Sequence, residues 1–144
     1  MNLIEQYNTH NQYGKYLGME FKVIEPGLVH YFLTINANHL ATPQAAHGGV
    51  IAGLMDGLLG VTALSATQQH QQIVSTVEFK INFLNAAFEG DELKGIGKVE
   101  QQGKRLLVVS GDIICEKRNC TIAKAIGTFN AYPAEKAGYH IPKV

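Results

Sequence analysis

The 144-residue chain has no net charge: twelve basic residues cancel twelve acidic ones, and its basic runs stop at pairs such as Lys104-Arg105 and Lys117-Arg118. That balance excludes the electrostatic footprint of a nucleic-acid binder and of a polybasic membrane anchor. Cysteine is scarce. Cys115 and Cys120 flank a turn-like stretch and are placed to face each other across a hairpin, but without signs of export they read as free thiols rather than a bridge. The histidines, His39 among them, are scattered without metal-ligand spacing, so no metal site is expected. Gly-x-Ser-x-Gly, a Walker loop and a dinucleotide fingerprint are all absent, which removes the commonest hydrolase and nucleotide chemistries. Residues 1–10 resemble neither a signal peptide nor a transit peptide. The longest apolar stretch, 50–66, is interrupted by Asp56 and falls short of the ~20 residues of a membrane span. A cytoplasmic protein with no membrane or nucleic-acid partner is the expectation.

Charge is also missing from one long region. Between Glu25 and Glu78 the only Asp, Glu, Lys or Arg is Asp56, inside the run AAHGGVIAGLMDG of residues 45–57. A lone carboxylate in apolar surroundings costs several kcal/mol to bury, so it is hydrogen-bonded, protonated or facing a cleft.

The chain length suits one domain with one core. Leu3, Ile4 and Tyr7 lie at helical spacing and predict a short amphipathic helix over 2–10, after which Gly14 and Gly18 loosen the chain. Residues 19–24 and 28–35 are β-rich, and Glu25-Pro26-Gly27 between them has turn chemistry, so a hairpin is expected. A loop over 36–46 leads into a helix apolar nearly all round, from Val50 to Leu64, which other structure must wrap. Odd positions from Ile73 to Phe83 alternate with a more polar even set that includes Thr76, Glu78 and Lys80, marking a long strand. Three further strands are expected over 92–100, 105–115 and 121–132, then an irregular tail from Pro133. Short turns between consecutive strands favour antiparallel pairing. The fold class is therefore α+β, a curved antiparallel sheet wrapped around one long central helix.

His47-Gly48-Gly49 falls where that helix begins. The first amides of a helix have no intrahelical partners, so this end either receives an anion or developing oxyanion, or is simply a tight turn into the helix. Asp56 follows nine residues after His47, between two and three turns into the helix. It is either bonded to a neighbouring strand's backbone or, if desolvated, a general base or nucleophile with a raised pKa.

In its order, the EPG turn, NHL, HGGVIAGLMDG, the strand STVEFKINFLNAAFEGDEL and then GKRLLVVSGDI, the chain resembles the hotdog-fold acyl-CoA thioesterases of the phenylacetate-pathway type from about Leu17 to Tyr132. The resemblance implies one such domain over 1–144, a homodimer or a dimer of dimers, and active sites between subunits. It implies that the Gly48 amide polarises a thioester carbonyl, that His47 shapes the turn and that Asp56 of the partner activates water or attacks directly. Thr76 falls where the family often has a serine or threonine near the aspartate. Many members carry an asparagine six residues before the histidine, where this chain has Ala41; Gln44 or Thr42 would have to replace it. Lys104 and Arg105 match a place where members meet the phosphates of coenzyme A, though a hairpin tip in solvent is an equal reading. Gly49, Gln44, Asn82 and Phe83 complete the substrate-binding candidates. Phe79, Phe83, Leu54 and Leu58 are open to two readings, acyl pocket or ordinary core. Coenzyme A enters only as part of the substrate, with no other cofactor or metal. An acyl-thioester dehydratase or hydratase, and a non-catalytic acyl-CoA-binding or regulatory protein, are the competing readings.

Overall fold

A computed structural model of the chain describes residues 1–142. Six strands, β1 (Glu20–Glu25), β2 (Leu28–Thr34), β3 (Gln72–Phe83), β4 (Glu92–Gln102), β5 (Leu106–Cys115) and β6 (Cys120–Pro133), form one sheet in the order β1-β2-β4-β5-β6-β3. Every neighbouring pair is antiparallel; short turns account for β1–β2, β4–β5 and β5–β6, whereas β2–β4 and β6–β3 pair strands that are not consecutive, so β3 lies at the far edge beside β6 and not beside β4. Helix α3 (Gly48–Thr67) lies across the concave face, and β1 and β3 are the sheet's free edges.

Buried residues occur on nearly every side of α3, from Val50 to Thr67. Helix and following turn together, Gly48–His70, are long and apolar enough to cross a membrane, more than the sequence suggested, yet 67% of the most apolar window is buried in this fold. The helix sits close to the sheet because the strands give way. Gly97 of β4 faces Gly111 of β5, and a Cβ at Gly97 would collide with the Thr62 hydroxyl; one at Gly111 would come within 2.8 Å of the Met55 sulfur. Hydroxyls inside the helix are satisfied locally: Thr62 Oγ1 donates to the Leu58 carbonyl at 2.6 Å, and Ser65 Oγ accepts from the Gly27 amide at 2.9 Å, tying the first hairpin turn to the helix.

The N-terminal segment is more ordered than expected. Helix α1 (Leu3–His10) carries a capping box in which Glu5 N donates to Asn2 Oδ1 at 2.9 Å and Asn2 N donates to Glu5 Oε2 at 2.8 Å. A second helix, α2 (Gln12–Leu17), stands where the glycines were expected to loosen the chain. Asn11 caps it, and Gly18, at φ 88°, ends it in the left-handed conformation. Beyond β6 the tail opens with a 3-10 turn, Ala134–Ala137, and is irregular from there to residue 142, as expected but for that turn.

Strand β3 departs from strict alternation. Its pairing with β6 shifts between Thr76 and Glu78, so Val77 is an extra, exposed residue. Before the bulge, Val74 and Thr76 stand opposite Ala131 and Phe129; after it, Phe79 and Ile81 stand opposite Gly127 and Ala125. The bulge therefore switches which parity faces the helix. Thr76 points inward, unlike Glu78 and Lys80, whose parity it shares in the sequence.

Candidate active site

At the start of α3, His47 is the N-cap in extended conformation (φ −62°, ψ 137°), and its Nδ1 accepts the Gly49 amide at 2.7 Å. The Val50 amide turns back to the His47 carbonyl at 3.0 Å. The Gly48 amide has no partner among the described residues, and Gly48 borders a hollow of about 310 Å³ that Phe83, Ala86 and Ala87 also line. The loop over 84–91 that forms this wall is tied to the approach to α3: the Ala46 amide donates to the Ala87 carbonyl at 2.8 Å. Arg118 holds the same loop, donating to Asp91 at 2.6 Å and to the Ala86 carbonyl at 2.8 Å, with its guanidinium 4.8 Å from the Phe88 ring centre. That hydrogen-bonded ion pair keeps the Asp91 carboxyl below its ordinary range, against the opposing effect of burial.

Asp56 lies two turns further along. It is exposed within the single chain rather than desolvated, because the sheet covers the other sides of α3. Thr76 Oγ1 donates to Asp56 Oδ1 at 2.7 Å, so of the two alternatives the carboxylate takes a side-chain partner at a cleft and not strand backbone. Both residues line a second hollow of about 250 Å³, together with Gly57, Gly60 and Leu64 of the helix, Val74 and Phe129 of the sheet, and Tyr7 and Tyr139. Burial pushes the Tyr7 phenol above its ordinary value, opposed by a hydrogen bond with Tyr31 and reinforced by Tyr139 and Asp56.

Eight residues of helix put the Gly48 amide and Asp56 roughly 12 Å apart along the axis. A carbonyl held about 3 Å from an oxyanion donor cannot also meet a nucleophile or base at that distance. Within one chain the two halves cannot serve the same bond.

The other candidates divide. Phe83 packs beside Gly48, where a Cβ would lie 3.6 Å from its ring, whereas Asn82 faces the opposite side of β3 and accepts a bond from Lys80 at 2.8 Å. The Thr42 hydroxyl is engaged by the Ala45 amide at 2.9 Å within its own loop, which leaves Gln44, exposed and free at its side chain among the described residues, as the one of the two expected replacements still available for the role at Ala41. Lys104 and Arg105 form the β4–β5 tip, where Lys104 borders an open groove with His70 and Gln72 at the far end of α3 from Gly48. Leu54 and Leu58 are fully buried core and Phe79 packs against that core. Cys115 and Cys120 are paired in register across the β5–β6 turn and are free thiols. Sequence reasoning missed Tyr139, since nothing in the tail marks it, and took Tyr7 only as a packing residue of a helix.

A long helix wrapped by a single antiparallel sheet is the hotdog architecture, and solved hotdog thioesterases superimpose on it. The PaaI protein of Escherichia coli, from the phenylacetic acid degradation operon, matches with a TM-score of 0.82 at 23% identity over 89% of each chain. A thioesterase protein from Streptococcus pneumoniae solved with coenzyme A matches with a TM-score of 0.78 at 22% identity, over 90% of this chain and 97% of that one. In sequence, the acyl-coenzyme A thioesterase PaaI of Escherichia coli K12 is 27% identical over 117 residues, 77% of this chain and 80% of the relative. The Thioesterase superfamily profile matches residues 44–122, more than half of the chain. The chain belongs to that superfamily and is a thioester hydrolase.

Proposed function

We propose that the protein is an acyl-CoA thioesterase whose site is completed by a second copy of the chain. The observation that carries the reading is the Asp56–Thr76 pair at the mouth of a hollow, on the same helix as an unpartnered Gly48 amide too distant to serve it. The names of the Escherichia coli relative and of the coenzyme A complex support the substrate class. Two chains joined along the exposed edge of β3 bring the Gly48 end of one helix toward Asp56 of the other; a long uncovered edge strand also favours pairing. Whether two or four chains assemble does not alter this chemistry.

In the proposed cycle the thioester carbonyl oxygen accepts a bond from the Gly48 amide of the partner, His47 holding that turn in shape and Gly49 leaving room for the acyl-sulfur bond. Thr76 fixes one carboxylate oxygen of Asp56 so that the other removes a proton from the attacking water, or itself attacks to give an acyl anhydride that water then hydrolyses, and Gln44 takes the place of the family asparagine in holding the water. The carbon-oxygen bond forms, the carbon-sulfur bond breaks, and coenzyme A leaves as a thiolate. Amide stabilisation of the oxyanion supplies roughly 3 kcal/mol. Phe83 borders the amide, and Lys104 and Arg105 offer cations for the nucleotide phosphates at the rim. No cofactor is required beyond the coenzyme A of the substrate, and a cytoplasmic location fits that supply.

Thiol release from a panel of acyl-CoA esters tests this. Wild type turns over, and Asp56→Asn falls by roughly two to four decades, the size of a lost positioned base. An inert wild type that still binds the esters would instead make it an acyl-CoA-binding protein, the outcome that Ala41 favours; hydration of enoyl-CoA would make it a hydratase.

A further inference from the structure

The hollow beside Asp56 takes part of its wall from two residues outside the family-matched segment, Tyr7 on α1 and Tyr139 beyond β6. Gly57 and Gly60 leave the helix wall bare on one side, and Leu64, fixed in a small core with Leu3 and Ala134, forms the floor. The opposite wall is held in place by contacts that bring the two ends of the described chain together. The Gln6 side-chain amide pairs with the backbone of His140, its Nε2 donating to the carbonyl at 2.9 Å and its Oε1 accepting the amide at 3.2 Å. The Tyr139 ring meets His10 edge-on at 6.0 Å, and the Tyr7 ring packs on Phe21 at 6.3 Å. Burial pushes both phenols above their ordinary value, so each presents a neutral wall at neutral pH.

Resting on the thioesterase reading, we infer that Tyr7 and Tyr139 are specificity-determining residues that close the acyl pocket behind Asp56 and limit the substrate to ring-sized and medium-length acyl groups. The carbonyl carbon must lie at Asp56, and the hollow that adjoins that carboxylate has both tyrosines in its wall. An engineered apolar cavity of about 150 Å³ holds benzene, so 250 Å³ takes about ten carbons at the same filling. A chain of sixteen carbons meets the tyrosine wall.

The test is kcat/KM for straight-chain acyl-CoAs from two to sixteen carbons with wild type, Tyr139→Ala, Tyr139→Phe and Gln6→Ala, each variant first checked for cooperative unfolding. Wild type is expected to decline beyond about ten carbons. Tyr139→Ala raises the ratio of long- to medium-chain kcat/KM by about tenfold or more, the scale of discrimination at an apolar pocket wall. Gln6→Ala, which unpins the tail without touching the pocket, moves the ratio the same way, and Tyr139→Phe keeps the wild-type profile. A wild type equally fast on sixteen and eight carbons, or a ratio unmoved in both Tyr139→Ala and Gln6→Ala, overturns the inference while leaving the thioesterase reading intact. A wild type inert on the whole panel overturns both.

Discussion

The two ends of the proposed chemistry are built differently although one helix carries both. The Gly48 end is made of backbone: an amide freed by helix geometry, a histidine cap and two residues without side chains. The Asp56 region is made of side chains, and it exists only because β3 brings Thr76 to the helix. A backbone donor tolerates almost any neighbour provided the N–H stays free, whereas a carboxylate held by one hydroxyl depends on a strand register set by a distant partner strand. The first is hard to damage by substitution and the second is easy.

Proline separates the two most sharply. Gly48 is the first helical residue, where proline is well tolerated, and His47 before it already has the extended backbone that a following proline requires. Gly48→Pro therefore keeps the fold while removing the N–H, and kcat is expected to drop by about two to three decades with little change in Tm. A large loss of Tm would show that the glycine serves packing instead. Thr76→Ala acts on the other region alone. Losing one hydrogen bond to a charged group lowers kcat by about tenfold, with KM for a medium-chain ester little changed; an unaltered kcat would make the hydroxyl dispensable.

The smallest effect concerns the support of the Gly48 end. The Asp91 carboxyl is depressed by Arg118, so its contribution to stability is present above the unfolded carboxylate value of about 4 and is lost as pH falls through the lower folded value. Arg118→Ala is expected to cost about 1 kcal/mol in urea unfolding at pH 7, and the difference should begin to shrink below about pH 4 and keep shrinking as pH falls through the folded Asp91 value. A difference that does not shrink at all on acidification would assign it to the lost packing on Phe88 and the lost bond to the Ala86 carbonyl.

The same contrast explains what the sequence disclosed. His47, Gly48 and Gly49 form a local signal, and a lone aspartate in an uncharged region stands out without any knowledge of the fold. The antiparallel sheet and buried helix followed from turns and periodicity. The resemblance put Thr76 near the aspartate, but the direction it faces was illegible because an inserted residue leaves the alternation of β3 unbroken in the sequence; only pairing with β6 shows that Val77 is extra. Asp56 read as desolvated because its neighbours are apolar, but the sheet leaves its side of α3 uncovered. The second helix was hidden by Gly14 and Gly18, one capped by Asn11 and the other acting as the stop.

The facing glycines of β4 and β5 leave no room for a methyl group beneath the Thr62 and Met55 side chains of the central helix. A methyl group at Gly97 would act as a shim. It would lift the helix as a rigid rod, so the spacing of amide and carboxylate along the rod would stay fixed while the height of both above the sheet changed. In the proposed two-chain site, the gap between opposing halves would thus be adjustable from the interior of the sheet, by positions that never meet the substrate.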